Sequence, residues 1–371
     1  MRVCLIATEI FAHGIYGGFG ALTRKIARGL SNKGIEVYVV MPRQPGQKPV
    51  EQLDNFTVIS YPGGLYTGLR SSIHYKSIFQ LIQADIYHSE EPSIGTFLAQ
   101  QAIPQKKHVV TFQDPRTMED RKREWREAGS SGISLLKREI IFRVSYFNIK
   151  RAIRRANALF CQAWYAIPKA IRIYGLTKSP KFLPNPVEIP ERSIKKADEP
   201  TVCFLGRWDP RKRPEIFFEL AKRFPRVKFI AMGACQPHFA ERDRLLRERY
   251  KNVPNLIMRG WVFEEEKSKI LEKCWILINT SWRECLPVSY LEACAHKCAI
   301  LSHENPDDFA KNFGYWAKKG DIEDFAEGLR FLLGGKWKEL GEKGRRYVSR
   351  VHEFNKVIDK HIEIYRELLE M

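Results

Sequence analysis

Two acids stand eight residues apart in "SWRECLPVSYLEACAHKC" (281–298): Glu284 and Glu292, on either side of Pro287 and directly after the apolar run "CWILINT". A carboxylate that accepts from vicinal hydroxyls holds a sugar, and two such acids can hold two sugars. Pro287 suits the first turn of a helix, where its missing N–H would have no partner. A helix starting there leaves the amides from Leu286 through Val288 to Ser289 pointing outward with partial positive charge, which suits a phosphate. Glu284 then lies on the loop before the helix and Glu292 more than one turn inside it. The plainer reading is an acid favoured at a helix start and an exposed helical acid, and the residues alone leave both open.

A second cluster, "FLGRWDPRKRPE" (204–215), places Arg207 and Lys212 five apart across a turn that contains Pro210. Two such cations can converge on one diphosphate, the arginine as a fork and the lysine as a point charge. Arg211 and Arg213 beside them read equally well as charges of a solvated loop. The third is "YGGFGA", where Gly17 and Gly18 would let backbone approach a ligand and the helix that follows would offer amides to an anion, or would simply make a tight turn. It is not a dinucleotide fingerprint: Thr23 stands at the third glycine position and "VYVVMPR" ends without the acid that would hold a ribose.

The elements that must position these residues alternate. "RVCLIAT" is apolar throughout, as expected of a strand buried on both faces. "ALTRKIARGLSNKG" has helical period and stops at Gly34, and "EVYVVMP" is a second strand. The alternation runs on through "FTVISYP", "ADIYHS" and "KHVVTFQD". The segment 180–200 carries five prolines and reads as a linker. A second series follows it, from "TVCFLGRW" through "VKFIAMG", "NLIMRGW" and "WILINTS" to "AILS", and the tail from about 336 reads as helical with a break near 352–355. Two doubly wound, parallel-sheet α/β domains in tandem are expected, with all three clusters at the carboxyl ends of strands, where open sheets bind ligands.

The chain has 371 residues, of which 44% are hydrophobic, enough for two cores. Its eight cysteines lie mostly in apolar segments with no C-x-x-C pair, which reads as buried free thiols in a cytosolic protein and not as a zinc site. The N-terminal apolar run lacks a small-residue cleavage site, and no stretch is long and apolar enough to span a bilayer. A cytoplasmic protein is expected.

These clusters resemble those of retaining glycosyltransferases of the GT-B fold, family GT4. The shared residues are Gly17–Gly18, the "GR" at Arg207 followed five later by Lys212, and the E-x7-E pair Glu284 and Glu292. "ADIYHSEEP", "VVTFQD" and "LPNPVEIP" match further signposts in order. The resemblance implies two Rossmann-like domains facing across a cleft. The first, 1–190, would bind the acceptor, with a C-terminal helix at about 355–371 packed back on it, and the second, 198–354, would bind a nucleotide-sugar. Arg207 and Lys212 would neutralise the diphosphate, Glu292 would hold the ribose and Glu284 the donor sugar. Backbone near Gly18, Leu286, Pro287 and Val288 would complete the cradle, and Trp261 and Val262 would flank the base. The implied reaction is sugar transfer from a UDP- or GDP-sugar to a glycan or lipid-linked acceptor in cell-surface polysaccharide or glycolipid synthesis. It needs neither metal nor other cofactor, the leaving phosphate taking the acceptor's proton. A nucleotide-sugar 2-epimerase of the same fold is the alternative. The chain departs from the family where "T-F-H" usually brings a histidine to the sugar: Gln113 stands there. His13 or His88 is a candidate to compensate, although His88 reads better as a packed strand-end residue, and Asp114 is a candidate to orient the site.

The formal net charge is +19. From Arg116 to Arg155 twelve Lys/Arg stand against five Asp/Glu. There "SLLKREIIFRVSYFNIKRAIRRA" mixes cations with Leu136, Ile140, Val144 and Phe147 at helical spacing. A basic amphipathic helix at an anionic membrane, on the inner face of which the protein would be peripheral, is one expectation, and a core-facing helix with a solvated basic side is the other. Nucleic acid is not an expected partner, since the cations are not interleaved with an aromatic platform.

Overall fold

The computed structural model describes residues 1–11, 17–62 and 69–371, with the side chains of 69–74 left undescribed. His13 lies outside the described residues. The chain divides into two compact units, Met1–Pro186 with Phe354–Met371, and Val187–Glu353.

Unit 1 is built on β1 (Arg2–Ile6), α1 (Gly18–Asn32), β2 (Glu36–Pro42), β3 (Val50–Leu53), β4 (Phe56–Tyr61), α2 (Leu69–Ile82), β5 (Ile86–Ser89), α3 (Ile94–Ala102), β6 (Lys107–Phe112), α4 (Met118–Glu127), α5 (Gly132–Arg154), β7 (Ala158–Cys161), α6 (Ala166–Tyr174) and β8 (Lys181–Phe182). The sheet order is β3-β4-β2-β1-β5-β6-β7-β8, parallel apart from the antiparallel edge strand β3. Leu5 of the central strand pairs with Val39 on one side and His88 on the other. Val3 through Ala7 are all essentially inaccessible, as the unbroken apolar run requires of a strand covered on both faces.

Unit 2 follows the same alternation: β9 (Thr201–Leu205), α7 (Pro214–Arg223), β10 (Lys228–Met232), α8 (Ala240–Tyr250), β11 (Leu256–Gly260), α9 (Glu264–Lys273), β12 (Ile276–Asn279), α10 (Val288–Ala295), β13 (Ala299–Ser302), α11 (Phe309–Phe313), β14 (Gly314–Trp316), α12 (Ile322–Phe331) and α13 (Trp337–Val351). Its strands, in the order β11-β10-β9-β12-β13-β14, are all parallel. Its core gathers Phe204, Trp208, Phe217, Phe218 and Phe229 under α7 and α8. The last helix, α14 (Phe354–Glu370), belongs to unit 1. It crosses α1 at Gly29, where a Cβ would come within 2.7 Å of Ile358.

The proline-rich segment is not a free linker over its whole length. Residues 187–197 belong to unit 2. Lys196 Nζ donates to the carbonyl of Leu271 at 3.2 Å, the indole of Trp275 donates to the carbonyl of Ala197 at 2.8 Å, and Val187 bridges to Glu353. Prolines there fix an extended strap whose carbonyls remain available as acceptors, so a composition typical of linkers is compatible with docking. All eight cysteines are buried free thiols.

Candidate active site

In unit 2 the sheet builds outward in one direction from β9 through β10 to β11, then restarts at β12 on the other side. The loops after β9 and β12 therefore diverge and leave a crevice at the carboxyl ends of the strands. Arg207, Asp209 and Lys212 come from the first loop, and Arg283, Glu284 and the start of α10 from the second. The two loops are stitched together by Thr280. Its hydroxyl lies 2.6 Å from the carbonyl of Lys212 and 2.8 Å from that of Arg213, and its own carbonyl accepts from Arg213 Nε at 2.6 Å. Arg213 is thus not a solvated surface charge. Its guanidinium also reaches the carbonyl of Gly320 at 3.0 Å, and its backbone adopts the left-handed region, φ 46°, a strain the surrounding bonds must hold.

Within the crevice the Lys212 ammonium is ion-paired with Glu284, and both side chains are largely buried. Burial lowers the Lys212 pKa against the pull of Glu284, and the guanidiniums of Arg211 and Arg207 push the same way. Burial alone would raise Glu284, but Lys212 and Arg211 outweigh it and hold this carboxyl below its ordinary range. Arg207 pairs with Asp209 at 2.9 Å. The amide of Glu284 donates to the carboxylate of Glu304 at 3.3 Å, and burial raises the pKa of Glu304.

Helix α10 begins at Val288 with Pro287 as its N-cap, one residue later than its proline suggests. Glu292 sits on its second turn, nearly inaccessible, and pairs with Lys267 of α9 at 2.7 Å. The same lysine also lies 3.2 Å from Glu264. Trp261 and Val262 follow β11 directly, both half-buried. The turn between β10 and α8 is forced to be glycine: Gly233 has φ 126° and a Cβ there would sit 1.9 Å from the carbonyl oxygen of Gly206.

Unit 1 has its own reversal, between β1 and β5. The amide of Gly20, in the first turn of α1, donates to the carboxylate of Glu9 at 2.9 Å. A Cβ at Gly17 would also lie 2.9 Å from that carboxylate, whereas a Cβ at Gly18 would meet nothing within 4 Å among the described residues. Beside this turn, Glu90 and Glu91 lie at the end of β5, and burial raises them to about 8 and about 7. The carboxylate of Glu91 accepts from the amides of Gln113 and Asp114 at 2.8 and 3.2 Å.

Two family models match consecutive parts of the chain: "Glycosyltransferase Family 4" over residues 16–189 and "Glycosyl transferases group 1" over 187–349. The chain belongs to the GT-B glycosyltransferases of family 4. Among solved structures this glycosyltransferase is similar to a sucrose-phosphate synthase from Thermosynechococcus elongatus, with a TM-score of 0.78, 16% identity and coverage of 100% of this chain and 99% of that one. It is also similar to HepE of Anabaena in complex with UDP and glucose, with a TM-score of 0.74, 13% identity and coverage of 98% and 99%. Likeness at such identity speaks for the fold. No curated protein matches by sequence.

In this glycosyltransferase the structure pairs Lys212 with Glu284 and brings Arg207 close enough to act on Lys212, with Leu286, Pro287 and Val288 leading from the Glu284 loop into α10 and Glu292 on the second turn of that helix. The residues of unit 1 are held largely by the chain's own groups, and His88 is packed at its strand end as its sequence context suggests. Among the described residues at the start of α1, the amide of Gly20 is already taken by the chain's own Glu9. A phosphate would face that carboxylate, and the glycine at 17 makes room for the acid. Gln113 is nearly inaccessible, and its amide is locked with Asn185 in a reciprocal pair at 3.1 and 2.9 Å, while its carbonyl accepts from Gln162 at 3.1 Å. His88 is a core residue between Tyr365 and Thr111, 2.7 Å from each, and burial lowers its pKa well below the ordinary value. Sequence reasoning missed Glu9, Lys267 and Glu304. Each lies far along the chain from its partner, and only "TEI" directly after the first strand gave a signal, an acid at a strand end.

Proposed function

We propose that the chain is a retaining hexosyltransferase that moves a sugar from a nucleoside-diphosphate sugar, UDP- or GDP-linked, to a glycan or lipid-linked acceptor in cell-surface polysaccharide or glycolipid synthesis. The observation that carries this reading is the convergence of Arg207, Lys212, Glu284 and the first turn of α10 on the strand-order reversal of unit 2. Transfer breaks the bond between the anomeric carbon and the leaving phosphate oxygen and forms one to the acceptor oxygen, and the acceptor's proton passes to the leaving phosphate. Negative charge grows on the diphosphate as this happens. Fixed cations and helix-start amides aimed at it stabilise that charge more in the transition state than before it. Glu284 keeps the Lys212 ammonium in place before the donor arrives, and then offers its carboxylate to sugar hydroxyls as the ammonium turns to phosphate. Glu292, oriented by Lys267, takes the ribose, and Trp261 and Val262 lie along the base. No protein base, metal or further cofactor has a part in this scheme. HepE, which shares the fold, is seen in complex with UDP and glucose, and a donor of that class fits the crevice chemistry here.

Calorimetry with UDP, GDP and ADP tests the site. One of them should bind, and Lys212→Ala or Glu292→Ala should weaken it about tenfold or more, as loss of a charge-assisted bond does. Lys267→Met should weaken it less, because it removes an orienting partner and not a contact. If neither of the first two changes weakens binding, the site is misassigned. Retention would be read from the anomeric configuration of the product, and inversion would overturn it. Conversion of the donor to its 2-epimer without acceptor would favour the isomerase.

A further inference from the structure

Helix α5 is apolar on two opposite faces. The inner face packs within unit 1: Phe142 stands edge-on to Trp125 with ring centroids 5.9 Å apart, Tyr146 donates to the carbonyl of Ile173 at 2.6 Å, and Ile149 and Ile153 are buried. The outer face carries Ile133, Leu136, Ile140, Val144 and Phe147, spaced three, four, four and three apart. At about 100° per residue these five fall within roughly 80° of arc and make a stripe about 20 Å long. They are 73, 55, 53, 65 and 70% exposed. Core packing therefore does not explain the stripe, and a helix that needed only its inner face would be polar on the other side. Isolated surface leucines are ordinary, but five large side chains in one line are a patch.

The charges say what covers it. The helix carries Lys137, Arg138, Arg143, Lys150, Arg151 and Arg154 against a single acid, Glu139, which Lys122 and Arg143 already neutralise at 2.8 and 2.7 Å. Lys137 and Arg143 flank the stripe, and Arg151 and Arg154 continue its line toward the helix C-terminus. A second copy would bring the same cations face to face on a chain of net charge +19, and the cores of protein interfaces are poor in charge. An anionic bilayer suits both features at once: the apolar chains enter the headgroup boundary, and lysine and arginine stems reach lipid phosphates at its edge. We propose that α5 is a membrane-docking helix that lies in the plane of an anionic lipid surface with Ile133, Leu136, Ile140, Val144 and Phe147 inserted. This surface is independent of the crevice in unit 2, and it stands whether or not the reading of that crevice does. Among the described residues no helix is long and apolar enough to cross a membrane, so the association is peripheral on this account.

Co-sedimentation of the full chain with vesicles tests it. Phosphatidylcholine vesicles doped with phosphatidylglycerol should bind the chain, and pure phosphatidylcholine should not. The triple change Leu136→Ser, Val144→Ser, Phe147→Ser should lower binding about tenfold or more with an unchanged unfolding temperature, since outward side chains contribute little to the fold. If the triple variant binds like the parent, the attraction is general electrostatics of a basic protein and the proposal fails. It also fails if sedimentation velocity shows a dimer that the triple variant dissolves. Should the triple variant not fold, Phe147→Trp supplies a second readout. Its emission should shift to the blue and be quenched by brominated lipid in anionic vesicles, and an unshifted, unquenched signal would overturn the insertion.

Discussion

Lys212 and Glu284 show what one residue pair can and cannot reveal. Each is legible by type: a lysine five past an arginine on a strand-end loop, and an acid before a proline-led helix. Their contact spans 72 residues and is not legible, because nothing local to either segment specifies it. The pair also changes what the residues mean without a ligand. An ammonium buried this deeply would be costly alone, and its partner keeps it charged. Removing one member leaves the other uncompensated. Lys212→Ala and Glu284→Ala should therefore each destabilise unit 2 by about 3 kcal/mol or more. The double variant Lys212→Ala, Glu284→Ala should lose clearly less than the sum, giving a coupling energy of about 1–3 kcal/mol. Urea unfolding of the four proteins measures it, and simple additivity would mean that the pair does not act as a unit.

Elements are far easier to read than their attachments. Continuous apolar runs such as "VCLI" and "ILIN" announce strands buried on both faces, and the helical stop at Gly34 follows from backbone chemistry alone. The 187–197 strap reads as a linker because prolines and charges describe how a backbone bends and not what it lies against. The start of α1 is ambiguous for a related reason. Glycines permit close approach, but the sequence does not say whether a ligand or the chain's own Glu9 approaches. Two glycines of this turn can be separated experimentally. A Cβ at Gly20 would lie 2.9 Å from the backbone of Ile10 and Phe11, which cannot rotate away, so Gly20→Ala should cost about 1–3 kcal/mol by overpacking. Gly18→Ala meets nothing within 4 Å among the described residues and should leave thermal stability within about 0.5 kcal/mol, or raise it slightly through helix propensity. Thermal unfolding distinguishes the two, and equal losses would mean that the turn is relaxed in solution.

Across the whole molecule the ionisable groups set a pH window for unit 1 that composition could not have announced. The end of β5 and the facing side of α14 bury Glu90, His88, His361 and Tyr365 together, with Glu91 one residue on and Asp114 and Arg116 acting on it. Burial raises Glu90 from 4.5 to about 8 and lowers His361 from 6.5 to about 4. The signs run in opposite senses. The unfolded chain gives up the Glu90 proton at lower pH than the folded chain does, so folding loses stability as pH rises from about 4.5 to about 8, and the loss then levels off. His88 and His361 are held neutral in the fold but bind protons more readily when unfolded, so they erode stability as pH falls below about 6.5. A stability maximum on the mildly acidic side follows. Glu90→Gln removes the part of the alkaline branch that Glu90 contributes, leaving that of Glu91, while keeping the shape of the side chain. An amide at this site gains or loses hydrogen bonds of its own, so the pH slope and not the offset reports the effect. The difference in unfolding free energy between variant and parent should grow by a few kcal/mol between those two pH values, at about 1.4 kcal/mol for each step of one in pH, and stay flat above them. Urea titrations across that range would read it directly, and a difference that does not change with pH would show that Glu90 is ionised in the folded protein.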